Sequence, residues 1–387
     1  MKTVLQTICI TTVLILTCSC NEGETDKQTQ QAASPAPIAK PEVIERKELN
    51  PRKLHTLQWH DDWVDLLAFT PDSRTLATMS SRDHTIRLWD VESGSEKHVL
   101  RGHEDFIWHI DVSPDGKHIA SASKDDTARI WDIDSGEQVH LLKGHTDNVR
   151  WVDYSPDGSL LVSAGSDGDI RIWDTSTGKC RKTLSKNEKA VNFANFSPDG
   201  SMLVSGGTDM ITRIWDVASG KALQQLSGHR DQVFRGDFTP DGKQVLTIGH
   251  DNRGLLWDAV TGEEVQKFLG ATDTLFNMEI SPDGSQAVLI SLENHCRLWN
   301  LRKNPGDPIL LDHHDKVSDA EFTPDGNYVA TCGMDGWIMI WSIPDGQLVL
   351  TVQEFSNLVP SIAISPDGRF IAGGNSDGQT KVWQLAD

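Results

Sequence analysis

The sequence predicts an all-β protein in which eight similar units close into a ring, an eight-bladed β-propeller. The first observation is a tryptophan that recurs every 42 residues, at Trp89, Trp131, Trp173, Trp215, Trp257, Trp299, Trp341 and Trp383. The second is a Ser/Thr-Pro-Asp-Gly turn in phase with it, for example at 113–116. A period of about 40–45 residues is typical of propeller blades, and a single unit cannot bury its own faces, so neighbouring units must pack together.

The turn marks the connection between two strands in each unit. Proline fixes φ at its position, aspartate bonds to nearby backbone, and glycine permits a positive φ. The first unit departs from the pattern, with Ser73 in place of glycine. Short β-rich runs such as 201–205 and 211–215 lie between the turns and predict strands.

The net charge of −20 argues against a nucleic-acid partner, because phosphate binding needs lysine and arginine. Aspartates at fixed repeat positions account for this excess: eight in the turns, seven located six residues before the tryptophan, and five directly after it. We therefore attribute the acidity to the repeated structure rather than to a binding function.

Residues 1–19 predict an export signal, because Lys2 precedes a short apolar run at 4–16 that is too short to span a bilayer comfortably. The following Thr17-Cys18-Ser19-Cys20 resembles the bacterial lipoprotein signal, although that signal usually has leucine at the position of Thr17. The resemblance implies lipid attachment at Cys20, with Cys18 as the alternative residue. A soluble secreted or periplasmic protein and an uncleaved anchor remain alternatives. Residues 20–51 are polar and lack an apolar period, which predicts a flexible tether.

Residues 52–387 resemble the WD-repeat β-propeller family, through eight in-phase turns and eight in-phase tryptophans. In that family the repeat is offset from the blade by one strand. The resemblance therefore implies that residues 53–57 supply the outer strand of the last blade, whose other three strands end at Trp383. Closure of this kind leaves few exposed sheet edges.

The resemblance also implies a hydrogen-bonded network of histidine, serine or threonine, aspartate and tryptophan inside each blade. Four units carry it in full, as His103, Ser121, Asp125 and Trp131; His145, Ser163, Asp167 and Trp173; His229, Thr247, Asp251 and Trp257; and His313, Thr331, Asp335 and Trp341. The first unit has His60, Asp83 and Trp89, with Thr78 as its hydroxyl residue. The same trio resembles a catalytic triad, but recurrence in several blades indicates a scaffold.

Three units lack parts of this network. Unit 4 has Asn187 in place of histidine, unit 6 has Ala271, Leu289 and Glu293, and unit 8 has Phe355 and Gly373. One interpretation is drift that the neighbouring blades tolerate. The other is that unit 6 is irregular because its surface binds a partner.

The innermost strand of each unit supplies the candidate partner-binding residues. In the WD-repeat family, the residue after the first apolar position of this strand lies near the mouth of the central channel, where partners usually dock. Aromatic and arginine side chains dominate interface hot spots. The candidates are Trp108, Arg150, Phe234, Phe276 and the adjacent Trp63. The alternative is that these side chains pack between blades.

A second repeated position in the same strands is acidic in five units, at Asp111, Asp153, Asp237, Glu279 and Glu321. These carboxylates could line the channel and hold a cation such as calcium, or could bond to neighbouring backbone. We favour the second interpretation and predict neither a metal site nor a cofactor. Cys180, Cys296 and Cys332 have no paired metal-ligand spacing and are predicted to be free thiols.

The predicted function is that of a non-catalytic, monomeric protein-binding scaffold, exported and lipid-anchored in a bacterial cell envelope. The alternative is a small-ligand or cation sensor, or an enzyme, that uses the central channel. An enzyme would need a convergent polar set that breaks the repeat, and no such set is evident in the sequence. Fold resemblance alone does not establish function.

Overall fold

The computed structural model describes residues 51–185, 189–302 and 306–385, and within these ranges the chain forms strands and no helix. None of the described residues forms a helix long and apolar enough to cross a membrane. The predicted signal at 1–19, Cys18, Cys20, nearly all of the tether and Asn187 lie outside these ranges.

The strands of the first half of the molecule are β1 (Arg52–Gln58), β2 (Leu66–Phe69), β3 (Thr75–Ser80), β4 (Thr85–Asp90), β5 (Glu96–Arg101), β6 (Ile107–Val112), β7 (His118–Ser123), β8 (Thr127–Asp132), β9 (Gln138–Lys143), β10 (Val149–Tyr154), β11 (Leu160–Gly165), β12 (Ile170–Asp174), β13 (Cys180–Leu184), β14 (Val191–Phe196), β15 (Met202–Gly207), β16 (Ile211–Asp216) and β17 (Ala222–Ser227). Those of the second half are β18 (Val233–Phe238), β19 (Gln244–Gly249), β20 (Gly254–Asp258), β21 (Glu264–Phe268), β22 (Leu275–Ile280), β23 (Gln286–Ser291), β24 (His295–Asn300), β25 (Ile309–Asp312), β26 (Val317–Phe322), β27 (Tyr328–Gly333), β28 (Ile338–Ser342), β29 (Leu348–Val352), β30 (Ser361–Ile364), β31 (Phe370–Gly374) and β32 (Gln379–Gln384).

These strands form eight antiparallel sheets of four strands each, which confirms the eight-bladed propeller. Blade 1 is β2–β5, and each following group of four strands makes the next blade up to blade 7. Blade 8 combines β30, β31 and β32 with β1, which pairs antiparallel with β32 from Arg52 opposite Gln384 to Gln58 opposite Gln379. The predicted closure of the ring by an N-terminal outer strand is therefore confirmed.

The core lies between blades rather than inside any one of them. Trp131 of blade 2 is buried in a cluster with Met79 and Ile86 of blade 1, and similar clusters join the other neighbours. At the closing junction, Leu57 of β1 shares a cluster with Trp89 of blade 1. Burying a large apolar side chain contributes about 1.5–3 kcal/mol, so each junction depends on both neighbours.

The predicted turns have the expected backbone. Gly116 has φ of 70°, and the corresponding glycine in each later turn is also positive. Ser73 occupies the same left-handed conformation with φ of 61°, which is unfavourable for a residue with a side chain. Its Oγ accepts a hydrogen bond from the Asp367 amide, 3.2 Å away across the junction of blades 1 and 8.

Candidate functional site

The alternation of antiparallel strands gives the ring two different faces. The turns between the first and second strands and between the third and fourth strands emerge on one face, which we call the Pro-Asp-Gly face. The second-to-third turns and the blade-to-blade connections emerge on the other, which carries the network histidines and which we call the histidine face. The innermost strands run from the histidine face to the Pro-Asp-Gly face and line the central channel.

The network is fully formed in blade 2. His103 Nδ1 lies 2.8 Å from Asp125 Oδ2 and its Nε2 lies 2.7 Å from Ser121 Oγ, while Trp131 Nε1 donates to the same Oγ at 2.9 Å. Because a carboxylate only accepts, we assign the Nδ1 proton as the donor to Asp125. Burial lowers the pKa of His103, and the Asp125 hydrogen bond opposes that effect only in part.

The same geometry recurs in four other blades, whose histidine-to-hydroxyl distances are 2.7–2.9 Å. The corresponding pairs are His60 with Thr78, His145 with Ser163, His229 with Thr247 and His313 with Thr331. All five histidine side chains are buried, with at most 2% of each side chain exposed. A substrate could not reach the buried hydroxyl groups, so this repeated trio stabilises the blades.

Blade 6 replaces the network with a different set of contacts. Glu293 pairs with Arg297 at 2.5 Å and accepts hydrogen bonds from Thr272 and Ser291. Leu289 fills the place of the hydroxyl residue, so Trp299 Nε1 is buried without a hydrogen-bond partner.

Blade 8 fills the same space with an aromatic pair. Phe355 meets Trp383 edge-on at 5.8 Å between ring centroids, and a side chain on Gly373 would contact the Phe355 ring. The network is thus replaced by apolar packing in this blade.

The candidate partner-binding residues occupy unusual backbone positions. In six inner strands the pairing register shifts between the first and third residues, for example between Ile107 and His109 and between Leu275 and Asn277. The residue between them, such as Trp108 or Phe276, is therefore a bulge residue, which has no partner in the next strand. The local twist at the bulge changes the direction in which its side chain points.

Phe276 is not on the surface, and its prediction as a partner-binding residue is wrong. Its side chain is 1% exposed and packs with Val317, Ala320 and Met339 of blade 7. The physical reason is that the bulge turns this side chain toward the next blade, where an apolar cluster accepts it.

The other candidates are half-buried near the mouth of the channel on the histidine face. Trp108 stacks on Phe106 with centroids 5.9 Å apart, and Phe234 stacks on His250 at 5.2 Å. Arg150 donates to Ser166 Oγ at 2.7 Å and to Asn192 Oδ1 at 2.6 Å, so it links blades 3 and 4.

Two neighbouring blades repeat one arrangement of a cation above an aromatic ring. Arg82 lies 5.4 Å from the ring centroid of Trp63 in blade 1, and Lys124 lies 5.1 Å from that of Phe106 in blade 2. We call these four residues and Trp108 the docking patch, which spans two neighbouring blades; His84 of blade 1 lies 5.8 Å from the Phe106 ring of blade 2, between ring centroids. Polar residues such as Asn148 and Gln232 occupy the position of Phe106 in blades 3 and 5.

In five inner strands the third residue belongs to a polar constellation that was not predicted from the sequence. His109 stacks on Trp151 with centroids 3.6 Å apart, and Arg235 lies 4.9 Å from the Trp151 ring. Arg235 donates to Asn277, and Asn277 donates to Asp319 at 2.8 Å. We call these five residues the channel chain. The sequence contained a signal for this set, because the residue type at this position differs in all eight units, whereas the apolar positions around it repeat.

The channel chain is linked to the surrounding blades by its remaining polar groups. Trp151 Nε1 donates to Asn195 Oδ1 at 2.6 Å, and Asp319 Oδ2 accepts the Ile362 amide of blade 8 at 3.1 Å. The expectation that no convergent polar set exists is therefore wrong. The set nevertheless bonds to itself and to neighbouring blades, which favours a stabilising role.

The channel carboxylates hold adjacent blades together through backbone hydrogen bonds. Asp111 accepts the Tyr154 amide and Asp153 accepts the Phe196 amide, each at 2.7 Å, and Glu321 accepts the Ile364 amide at 2.8 Å. This confirms the interpretation of bonding to neighbouring backbone for these three acids, whereas Asp237 accepts the amide of Phe238 in its own strand. Within the described ranges, no three His, Cys, Asp or Glu side chains are grouped so that they could hold a metal ion.

Enclosure by the ring makes these carboxyl groups hard to ionise. Desolvation raises the pKa of Asp111 to about 7 and that of Glu279 to about 8. It raises the pKa of Asp237 to about 6, and the nearby Arg235 opposes the shift for both Asp237 and Glu279. Asp237 is exposed to the lumen, so water there reduces the effect.

Comparison with known proteins agrees with the fold. The family model described as the first β-propeller of IFT122 matches residues 67–206, and the WD domain, G-beta repeat model matches residues 220–258, 308–342 and 344–384. These matches support a WD-repeat propeller family for the chain.

Three curated relatives match the chain over short segments. The chain is 32% identical over 81 residues to ribosome assembly protein 4 of Chaetomium thermophilum, which is 21% of this chain and 16% of that protein. It is 38% identical over 65 residues to mouse coronin-7, covering 17% of this chain and 7% of that one. Human WD repeat and SOCS box-containing protein 1 is 36% identical over 63 residues, 16% of this chain and 15% of that protein. The alignments thus span less than a fifth of each relative.

Proposed function

We propose that this protein is a non-catalytic scaffold that binds a partner protein at the docking patch on its histidine face. The observation that carries the proposal is the pair of cation-covered rings, Trp63 under Arg82 and Phe106 under Lys124, beside the half-exposed Trp108. Repetition does not require aromatic residues there. Aromatic, arginine-flanked clusters are typical of interface hot spots, and the resemblance to WD-repeat propellers supports a protein partner.

We also propose that Cys20 carries a lipid anchor and that the tether leaves the propeller on the face opposite the docking patch. The supporting observation is that Arg52, at the start of β1, pairs with Gln384 at the Pro-Asp-Gly face. A propeller held in this way would present its histidine face away from the membrane.

The alternative of a channel-based enzyme or sensor has less support. The polar groups of the channel, including Arg235, Asn277 and Asp319, bond to one another instead of presenting unpaired groups to a ligand. The relatives' names do not state a reaction or a ligand for this chain.

The docking proposal is tested by replacing Trp63 and Trp108 with alanine. We expect capture of a specific cross-linked partner to fall at least about 30-fold, because a hot-spot residue contributes about 2 kcal/mol or more. The measurement is quantitative cross-linking in envelopes of the native cell, with the melting temperature recorded to verify folding.

The matched control is Val139→Ala with Leu141→Ala on β9, two side chains that are 42% and 37% exposed on the outer strand of blade 2. This control should retain capture. Equal capture by the folded patch variant and the parent protein would contradict the location of the docking site.

A further inference from the structure

A pocket of about 730 Å³ lies at the junction of blades 8 and 1 on the Pro-Asp-Gly face. We call it the closing pocket. Blade 8 contributes Arg52, Leu54 and Arg369 to its lining, and blade 1 contributes Arg74, Val91 and Glu92, among other residues. It lies on the opposite face from the docking patch, so a ligand there would be independent of the proposed partner site.

The closing pocket lies where the third and fourth strands of blade 8 come from distant parts of the chain. In blades 1–5 and 7 a tight turn joins the third and fourth strands, and its glycine packs on the preceding blade, as Gly136 does on His98. In blade 8 the third strand is β32 and the fourth is β1, so no such turn joins them. Gln384 near the end of β32 and Arg52 at the start of β1 both line the pocket.

The carboxylates around the pocket are partly used by their own turns. Asp72 accepts hydrogen bonds from Thr70 Oγ1 at 2.6 Å and from the Arg74 amide at 3.1 Å. Asp367 makes the equivalent bonds in blade 8, at 2.6 and 3.0 Å. These bonds hold one oxygen, Oδ1, of each carboxylate, and the second oxygen of Asp367 lies 4.0 Å from Arg369 Nη1.

The guanidinium groups are held less tightly than the carboxylates. Arg52 donates to the neutral side-chain oxygen of Gln384 at 2.9 Å, and Arg369 lies 4.0 Å from its ion-pair partner Asp367. Arg74 lines the same space. Planar guanidinium groups suit two-point recognition of phosphate and carboxylate oxygens.

The backbone conformation of Ser73 also distinguishes this junction. Ser73, which lines the pocket, keeps a strained left-handed conformation, with φ of 61°, where later repeats have glycine. Its hydroxyl group joins blade 1 to the Asp367 amide of blade 8. Strained residues of this kind persist where the surrounding structure or a ligand site requires them.

We propose that the closing pocket binds a small zwitterion that carries an oxyanion and an ammonium group on a short skeleton. Arg52, Arg74 and Arg369 would contact the oxyanion, and the Oδ2 oxygens of Asp72 and Asp367 would contact the ammonium group. The 4.0 Å ion pair between Arg369 and Asp367 would then be divided between the two charged ends of the ligand. Leu54, Val91 and Phe370 supply apolar contact for the skeleton. The nearly balanced charges of the lining favour a zwitterion over a simple anion or a simple cation.

Phosphoethanolamine is the probe for this chemistry, as a free molecule and as the headgroup of phosphatidylethanolamine. Calorimetric titration of the full chain should show that phosphoethanolamine binds at least tenfold more tightly than inorganic phosphate or ethanolamine. Replacing Arg74 and Arg369 with glutamine should weaken binding at least tenfold, without changing the melting temperature by more than a few degrees.

The control variant is Lys117→Gln with Lys243→Gln, which alters the same turn position in blades 2 and 5 and should leave binding within twofold. Sedimentation with phosphatidylethanolamine vesicles, compared with phosphatidylcholine vesicles, identifies the source of the ligand. Selective sedimentation with phosphatidylethanolamine indicates a lipid headgroup. Binding of free phosphoethanolamine without such sedimentation indicates a soluble ligand. The proposal would be overturned if phosphoethanolamine did not bind, or if inorganic phosphate or ethanolamine bound as tightly as phosphoethanolamine. It would also be overturned if the control variant lost as much phosphoethanolamine affinity as the Arg74 and Arg369 variant.

Discussion

A chain that lacks residues 52–58 is expected to lose the cooperative unfolding of the closed ring. These residues form β1, the outer strand of blade 8, and their removal leaves β32 as an open edge. It also removes Leu57, which is 5% exposed, from the cluster that joins blades 8 and 1. The expected loss in the free energy of unfolding approaches the whole unfolding free energy of a typical domain, about 5–15 kcal/mol. Exposed strand edges promote pairing with other chains, so we also expect oligomers.

Thermal unfolding followed by circular dichroism, combined with sedimentation velocity, measures both effects. The matched control lacks residues 21–50 and keeps β1, and it should melt within a few degrees of the full chain. A monomeric 52–58 deletion variant that melts like this control would show that β1 is not needed to close the ring.

Replacing Arg235 with methionine is expected to destabilise the protein strongly and in a pH-dependent way. Arg235 lies against Trp151, donates to Asn277 and lowers the pKa of the neighbouring Asp237, Glu279 and Asp319. Removing one member of a buried charged set costs about 3–5 kcal/mol, and access of water to the channel reduces this to about 2–3 kcal/mol.

The pH dependence follows from the direction of the carboxyl shifts. Asp237 and Glu279 have a raised pKa in the folded state, so the folded protein binds more protons than the unfolded chain and stability falls as the pH rises. For these groups the fall extends from about pH 4 to about pH 8. Without Arg235 the pKa of each carboxyl group rises further. The loss of unfolding free energy in the variant, relative to the parent protein, should therefore be larger at pH 8 than at pH 5.5.

Urea unfolding of Arg235→Met at the two pH values tests this expectation. Arg230→Met is the control, because Arg230 is an exposed residue of the same blade. An Arg235→Met deficit that is the same at pH 5.5 and pH 8 would contradict electrostatic coupling in the channel, and no deficit would contradict the role of the channel chain.

The sequence predicted the features that repeat and missed the features that depend on neighbouring blades. The blade number and the position of β1 followed from the tryptophan period and from family resemblance. Phe276 was misplaced because a bulge between Leu275 and Asn277 reverses the expected direction of its side chain. A bulge leaves no mark in the apolar pattern of a single strand.

The irregularity of blade 6 shows the same limit. A side chain on Gly254 of blade 5 would collide with Leu289 of blade 6, so a small residue in one blade compensates for a large one in the next. These positions are 35 residues apart in the chain, and the packing cannot be predicted from either residue alone. Trp299 loses its hydrogen-bond partner in exchange for this packing.

The most direct test of the scaffold proposal is site-specific photo-cross-linking in intact cells of the native organism. A photoreactive phenylalanine analogue would replace Trp63 in the docking patch or Leu223, which is 50% exposed on the outer strand of blade 4. We expect a discrete protein adduct from position 63 and none from position 223. Adducts of equal yield from both positions, or an adduct from position 223 alone, would contradict a partner site on the histidine face.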